Sequence, residues 1–227
     1  MKLTPSLYQG EQENFKMKRI SFLVVLFLSL NGFAETDLTK PIFELNPKTF
    51  CVMNTDGSWT SPIASIKGET NDFYFAEKGQ CVSRSLVDIW GVTHNQDEML
   101  WDGVDYFFTN IDEPLKGATH FYDIQYVVKQ FITVRWNMHW HHVVMDGTPK
   151  EPKKIMINFQ RVSGTRYIPY WEGTIFLEEV APGITAVAIR NQINATRTTP
   201  DDAEGAILDL IDAFANGAPN FTPITYP

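Results

Sequence analysis

The chain has 227 residues, with 19 Lys and Arg against 27 Asp and Glu and a formal net charge of −8. Such a surface repels phosphate backbones and no basic cluster offsets it, so nucleic acid is not an expected partner. The sequence holds no repeats or low-complexity tracts, and its length suits one domain with a real core.

In chain order, the first signal is a leader. Met17 is followed by Lys18 and Arg19, then by an apolar stretch over residues 20–30, then by Asn31-Gly32-Phe33-Ala34 ahead of Glu35. A charged start, a short apolar run and small residues before the cut are the marks of a secretory signal peptide. The run falls short of the roughly 20 residues that cross a bilayer, so no stable span is expected once it is cleaved. Residues 1–34 therefore read as a signal peptide, with Met17 a candidate true start, and the protein as exported, periplasmic in a Gram-negative host and otherwise secreted. Those residues hold four of the basic and two of the acidic side chains, which leaves 15 against 25 and a charge of −10.

Both cysteines, Cys51 and Cys81, lie beyond the leader. In an exported chain an even pair reads first as a disulfide, and closing that loop would stabilise the fold by roughly 3–4 kcal/mol. The alternatives are two unpaired small hydrophobes, or a reactive thiol for which nothing nearby supplies activation.

Residues 35–48 are polar with prolines at 41 and 47, an extended lead-in. Short strands are expected over 50–53 and 72–76, and then a short helix capped by Ser83 or Ser85 that carries Leu86, Val87, Ile89 and Trp90. Residues 94–118 are irregular: Trp101, Phe107 and Phe108 are broken up by Gly103, Pro114 and Gly117.

The second half is sharply patterned. Over 131–145 the even positions give Ile132, Val134, Trp136, Met138, Trp140, His142 and Val144, and the odd ones Thr133, Arg135, Asn137, His139 and His141. Period two over that length predicts a strand with one apolar and one polar face. Strands over 154–162, 166–178 and 185–194 follow, separated by Ser163-Gly164 and Ala181-Pro182-Gly183, with their odd positions the more apolar. This predicts an antiparallel meander with one face inward. Thr199 as N-cap, Pro200 at the first helical position and Asp201 and Asp202 in the first turn open a final helix, which Gly217 stops. Its stripe is Ala203, Ile207, Leu210, Ile211 and Phe214. The expected fold is α+β, a curved antiparallel sheet wrapped around a long C-terminal helix.

Over about residues 119–215 this order resembles the START-like superfamily, also called the polyketide cyclase, SRPBCC or Bet v 1-like group. The best part runs Gly164-Thr165-Arg166-Tyr167-Ile168-Pro169-Tyr170-Trp171-Glu172-Gly173-Thr174-Ile175-Phe176-Leu177, then Gly183-Ile184-Thr185-Ala186-Val187 and the helix. The resemblance implies a helix-grip domain over 49–217, followed by a tail over 218–227. It also implies a cavity between sheet and helix that takes a hydrophobic or amphipathic small molecule such as a lipid, with no cofactor. It implies two short helices after the first strand, of which one is readable here. The superfamily also holds cyclases and hydrolases, so the fold does not choose the chemistry, and no catalytic set matches residue by residue.

The candidate wall is Ile132, Val134, Trp136, Met138, Trp140, Phe159, Trp171 and Ile189 from the sheet, with Ile207, Leu210, Ile211 and Phe214 from the helix. Three polar residues share the inward parity, namely His142, Arg161 and Asn191, and would orient a polar head. An inward Arg161 needs a carboxylate or an anionic head, unless it reaches water at the strand end or pairs with Glu172 or Glu178. His139 and His141 share one face at metal-ligand spacing, but they lie on the polar side and are expected to meet solvent, so no metal is expected. Two other readings stay open. One is an enzyme on the same scaffold with His142 or a loop carboxylate as base, and the other is a structural or partner-binding envelope protein with a filled core.

Overall fold

The computed structural model describes residues 37–71, 73–100, 103–109, 117–129 and 131–221. The leader, Trp101 and the end of the tail lie outside these residues. Among the described residues the elements are β1 (Val52–Met53), β2 (Trp59–Thr60), β3 (Ile66–Thr70), β4 (Phe73–Val82), α1 (Leu86–Val92), α2 (Gln96–Met99), β5 (Val104–Thr109), β6 (His120–Lys129), β7 (Thr133–Gly147), β8 (Pro152–Gly164), β9 (Tyr170–Ala181), β10 (Ile184–Asn194) and α3 (Pro200–Asn216). Eight strands form one antiparallel sheet in the order β3-β4-β10-β9-β8-β7-β6-β5. The architecture is α+β, with the C-terminal helix laid across the sheet's inner face. No helix among the described residues is long and apolar enough to cross a membrane.

The period-two segments form strands because alternation buries one set of side chains. Trp136, Met138 and Trp140 of β7 join Ile155, Ile157 and Phe159 of β8, Ile175 and Leu177 of β9, and Val187 and Ile189 of β10 in one core. The same core takes in Ile207, Ile211 and Phe214 of α3. The helix starts where its sequence dictates. The Thr199 hydroxyl accepts from the Asp202 N–H at 3.3 Å, and the Asp202 carboxylate accepts from the Thr199 N–H at 2.8 Å. At the other end, the Arg84 guanidinium donates to the carbonyls of Phe214 (3.1 Å) and Gly217 (2.7 Å), a cation set against the negative helix terminus.

Boundaries and faces differ from the sequence reading in physical ways. The hairpin before β9 is a five-residue loop, residues 165–169, so β9 begins at Tyr170 rather than Arg166. The segment expected as a strand over 72–76 lengthens into the ten-residue β4, and 50–53 contributes only the two-residue β1. Both short helices are present: Ser85 caps α1, and α2 is a single turn.

The largest difference concerns the outer face. The described part of the lead-in, 37–48, together with Thr49 and Phe50, is a strap lying on it. Asn158 and Thr174, paired across β8 and β9, are the latch. The Asn158 amide donates to the carbonyls of Leu38 (2.7 Å) and Lys40 (2.6 Å), its oxygen accepts from Thr174 Oγ1 (2.7 Å), and Thr174 Oγ1 accepts from the Phe43 N–H (3.1 Å). Phe50 packs with Met156, Phe176 and Ala188 in a second, outer core. Cys51 is bonded to Cys81 of β4, which pins the end of the strap. His141, expected in solvent, is therefore 2% exposed. His139 is half-buried, with its Nδ1 against the Asp123 carboxylate.

Candidate functional site

The inner face does not close on α3 along its whole length. Bulky rings from β6, β7, β8 and β9 leave a recess of about 50 Å³, roofed by α2 and the middle of α3. The recess shares Trp136, Trp171, Asn191, Ala206 and Asp209 with an open cleft of about 560 Å³. That cleft runs out between the β6–β7 end of the sheet and the first turns of α3.

Each ring has a reason for its place. Trp140 stacks on Phe159 with centroids 4.9 Å apart, and Tyr126, Trp136 and Trp171 follow at 5.4 and 6.2 Å. Phe159 faces Gly173 across β8 and β9 and fills the space a side chain there would need. The Trp171 indole donates to Asn191 Oδ1 at 2.9 Å, and the Asn191 amide donates to the Ala203 carbonyl at 3.3 Å. That pair ties β9 and β10 to the helix. The Trp136 indole N–H is buried on this wall without a hydrogen-bond partner.

Of the residues expected at the site, Trp136, Met138, Trp140, Phe159, Trp171, Asn191 and Leu210 line the recess, and Val134 lines the cleft. Ile189, Ile207, Ile211 and Phe214 are buried in the core where sheet and helix meet, off the recess lining. Ile132 is displaced from the expected wall: it is 49% exposed at the β6–β7 turn, beside a fully exposed Phe131, because β7 begins only at Thr133.

Arg161 is also corrected. It faces Met138 in register, but its guanidinium turns to the hairpin and donates to the carbonyls of Pro169 (3.0 Å) and Thr165 (3.4 Å). It does not line the cavity, and both expected carboxylates, Glu172 and Glu178, have other partners.

His142 lies away from the recess, beyond the Tyr122–Trp140 stack, in a cluster that the sequence did not announce. His94 follows α1, and His120 pairs with His142 across β6 and β7. The ring centroids of His94, His120 and His142 lie 4.3 to 5.3 Å apart. The Trp90 indole donates to His142 Nδ1 at 2.9 Å, which places the proton of neutral His142 on Nε2. The Nε2 atoms of all three are buried without a partner. Burial pushes His94 down to about 3, lowers His120, and holds His142 well below the usual histidine range. The cluster is thus neutral near pH 7. A general base at His142, as the enzyme reading expects, would have one nitrogen occupied by Trp90 and the other shut off from the cavity. Among the described residues no group of three His, Cys, Asp or Glu is arranged to hold a metal ion.

The sequence missed the residues that complete the recess: Gln96, Met99 and Leu100 from the α1–α2 corner, Tyr126 from β6, and Ala206 and Asp209 from α3. A signal existed for Tyr126, since Tyr122, Ile124, Tyr126 and Val128 alternate with Phe121, Asp123, Gln125 and Val127. None existed for Asp209, which sits beside the stripe on the helix's exposed side.

No protein-family model matches the chain, and no curated protein does. Among solved structures the chain is similar to the human StarD13 (DLC2) lipid transfer and protein localization domain, with a TM-score of 0.46 at 11% identity, covering 71% of this chain and 90% of that one. It is also similar to the di-domain ARO/CYC StfQ from the steffimycin biosynthetic pathway (TM-score 0.45, 13% identity, 63% of this chain and 44% of that one). A third is Ara h 8.0201 (TM-score 0.42, 11% identity, 63% and 95%). Likeness at this level says nothing of what this chain binds.

Proposed function

We propose that this protein is an exported domain that binds a hydrophobic or amphipathic small molecule, such as a lipid, between its sheet and its C-terminal helix. One observation carries the reading: an aromatic recess, apolar on nearly every side, opens into a cleft of about 560 Å³ between sheet and helix. An apolar cavity with a few polar groups at its edge is the usual build of a small-molecule site. Export is supported by the leader pattern before Glu35 and by the Cys51–Cys81 bond, since disulfides persist in oxidising compartments.

Native mass spectrometry of protein purified from its own host tests this. The expected result is a non-covalent adduct that solvent extraction removes, after which the protein takes up a hydrophobic dye. A spectrum of bare protein, together with no dye uptake, would sink the binding role and leave the filled-core reading. Export is tested separately, by the mass of the protein recovered from the host: a chain still carrying residues 1–34 would overturn it.

A further inference from the structure

Among the described residues, the charged side chains at the cavity carry one sign, and it is the opposite of the sign that an inward Arg161 would have supplied. Among the described residues, Asp209 is the one charged residue on the recess wall. Among them the cleft adds Asp201 and Asp202 and no Lys, Arg or His. A groove of about 300 Å³ on the far side of Asp209 adds Glu98 and Asp212, again without a cation among the described residues.

Three of these carboxylates have structural work. Asp212 accepts from the Asn216 amide at 2.8 Å; of the two in the first turn, Asp202 belongs to the capping box and Asp201 pairs with Lys67 at 2.6 Å. The helix dipole favours acids in the first turn and accounts for both. It does not account for Asp209, more than two turns into α3, which is exposed and has no hydrogen bond or ion pair among the described residues. Among the described residues it is the one that lines recess, cleft and groove alike. Beside it, Trp136 and Trp171 line both recess and cleft, with centroids 6.2 Å apart. Faces of such rings attract cations, and a carboxylate next to aromatic walls is a setting that recognises ammonium groups.

We propose that the guest is a cationic amphiphile, an amine or quaternary ammonium on an apolar body, whose charge rests between Asp209 and the Trp136 and Trp171 rings while its apolar part occupies the recess and cleft. This rests on the binding role proposed above and names the chemistry of its ligand. An anionic head at the same place would meet like charges beside a wall of low dielectric, where repulsion is less screened than in water.

The test uses three probes with one chain length and different heads: dodecyltrimethylammonium, dodecanol and dodecanoate. Each is titrated into the delipidated protein below its micelle concentration and followed by tryptophan fluorescence. The ammonium should bind about ten-fold more tightly than dodecanoate at low salt, and the gap should narrow in 0.5 M salt. Asp209→Asn should shrink the gap to about three-fold or less. Glu151→Gln, an exposed acid in the β7–β8 turn, controls for net charge and should leave the gap intact. If the two ions bind alike, or Asp209→Asn and Glu151→Gln act equally, the charge assignment is overturned while dodecanol binding keeps the cavity. If none of the three probes binds, the binding role itself fails.

Discussion

At Gly173 the recess wall depends on a missing side chain. A Cβ there would lie 2.1 Å from Phe159 Cζ on one side and 2.6 Å from the Arg190 carbonyl on the other. The backbone cannot yield, so the ring would have to, and the direction open to it is the recess that it lines with Trp140. Gly→Ala in a compatible strand position stabilises slightly through the unfolded chain. Here overpacking reverses the sign, and Gly173→Ala should cost roughly 1–3 kcal/mol. Urea denaturation measures this, and an unchanged midpoint would mean that the Phe159 ring relaxes freely. Arg161 illustrates the limit of parity at the same scale. Its register opposite Met138 is legible in the alternation, but the carbonyls of Thr165 and Pro169 come within its reach only once the hairpin is formed.

The strap and the sheet it covers form a unit fixed at two points, Asn158 near its start and the disulfide at its end. Asn158→Leu removes the acceptor of Thr174 Oγ1 and the donor to two strap carbonyls at once. Leaving those buried groups unpaired should cost about 2–4 kcal/mol. Amide exchange should then speed up at Phe43, which donates to Thr174 Oγ1, before it does in the centre of the sheet. Equal protection of both regions in the variant would show that the strap does not depend on the latch. Reduction of Cys51–Cys81, which closes a separation of 30 residues, should lower stability by roughly 3–4 kcal/mol in a denaturant series run with and without reductant.

The strand and helix elements themselves were largely legible. Alternation over β7 to β10, the Thr199-Pro200-Asp201-Asp202 start and the cysteine pair each reflect local chemistry or chain-wide parity. The covering of the outer face was not legible. Thr133, Arg135 and Asn137 sit at the exposed or half-exposed end of β7, and the alternation that carries on to His141 holds no sign that a remote segment buries that end. Asn158 and Thr174 on neighbouring outer positions were the available clue, since polar residues between apolar flanks on a sheet face invite a backbone partner.

Across the whole molecule, the buried histidines set how stability responds to acid. His94, His120 and His142 join α1 to β6 and β7, and His141 lies under the strap, so the groups span both faces of the sheet. Burial lowers all four, to about 3 for His94 and about 4 for His141, while an unfolded histidine titrates near the ordinary 6.5. Below about pH 6.5 the unfolded chain therefore binds more protons than the folded one, and folding stability falls as pH drops. The loss continues until each folded value is passed, and above that window these groups contribute no slope. Each contributes at most about 1.4 kcal/mol per pH unit. Between pH 6.5 and 5 most carboxylates keep their charge, so the slope there belongs chiefly to the histidines. His94→Phe keeps a ring against His120 at the cluster and removes one titrating group. Thermal or urea unfolding at half-unit steps should show a clear slope in the native protein and one smaller by up to one proton in the variant. Equal slopes would mean that His94 is protonated in the fold, and the neutral cluster would then have to be abandoned.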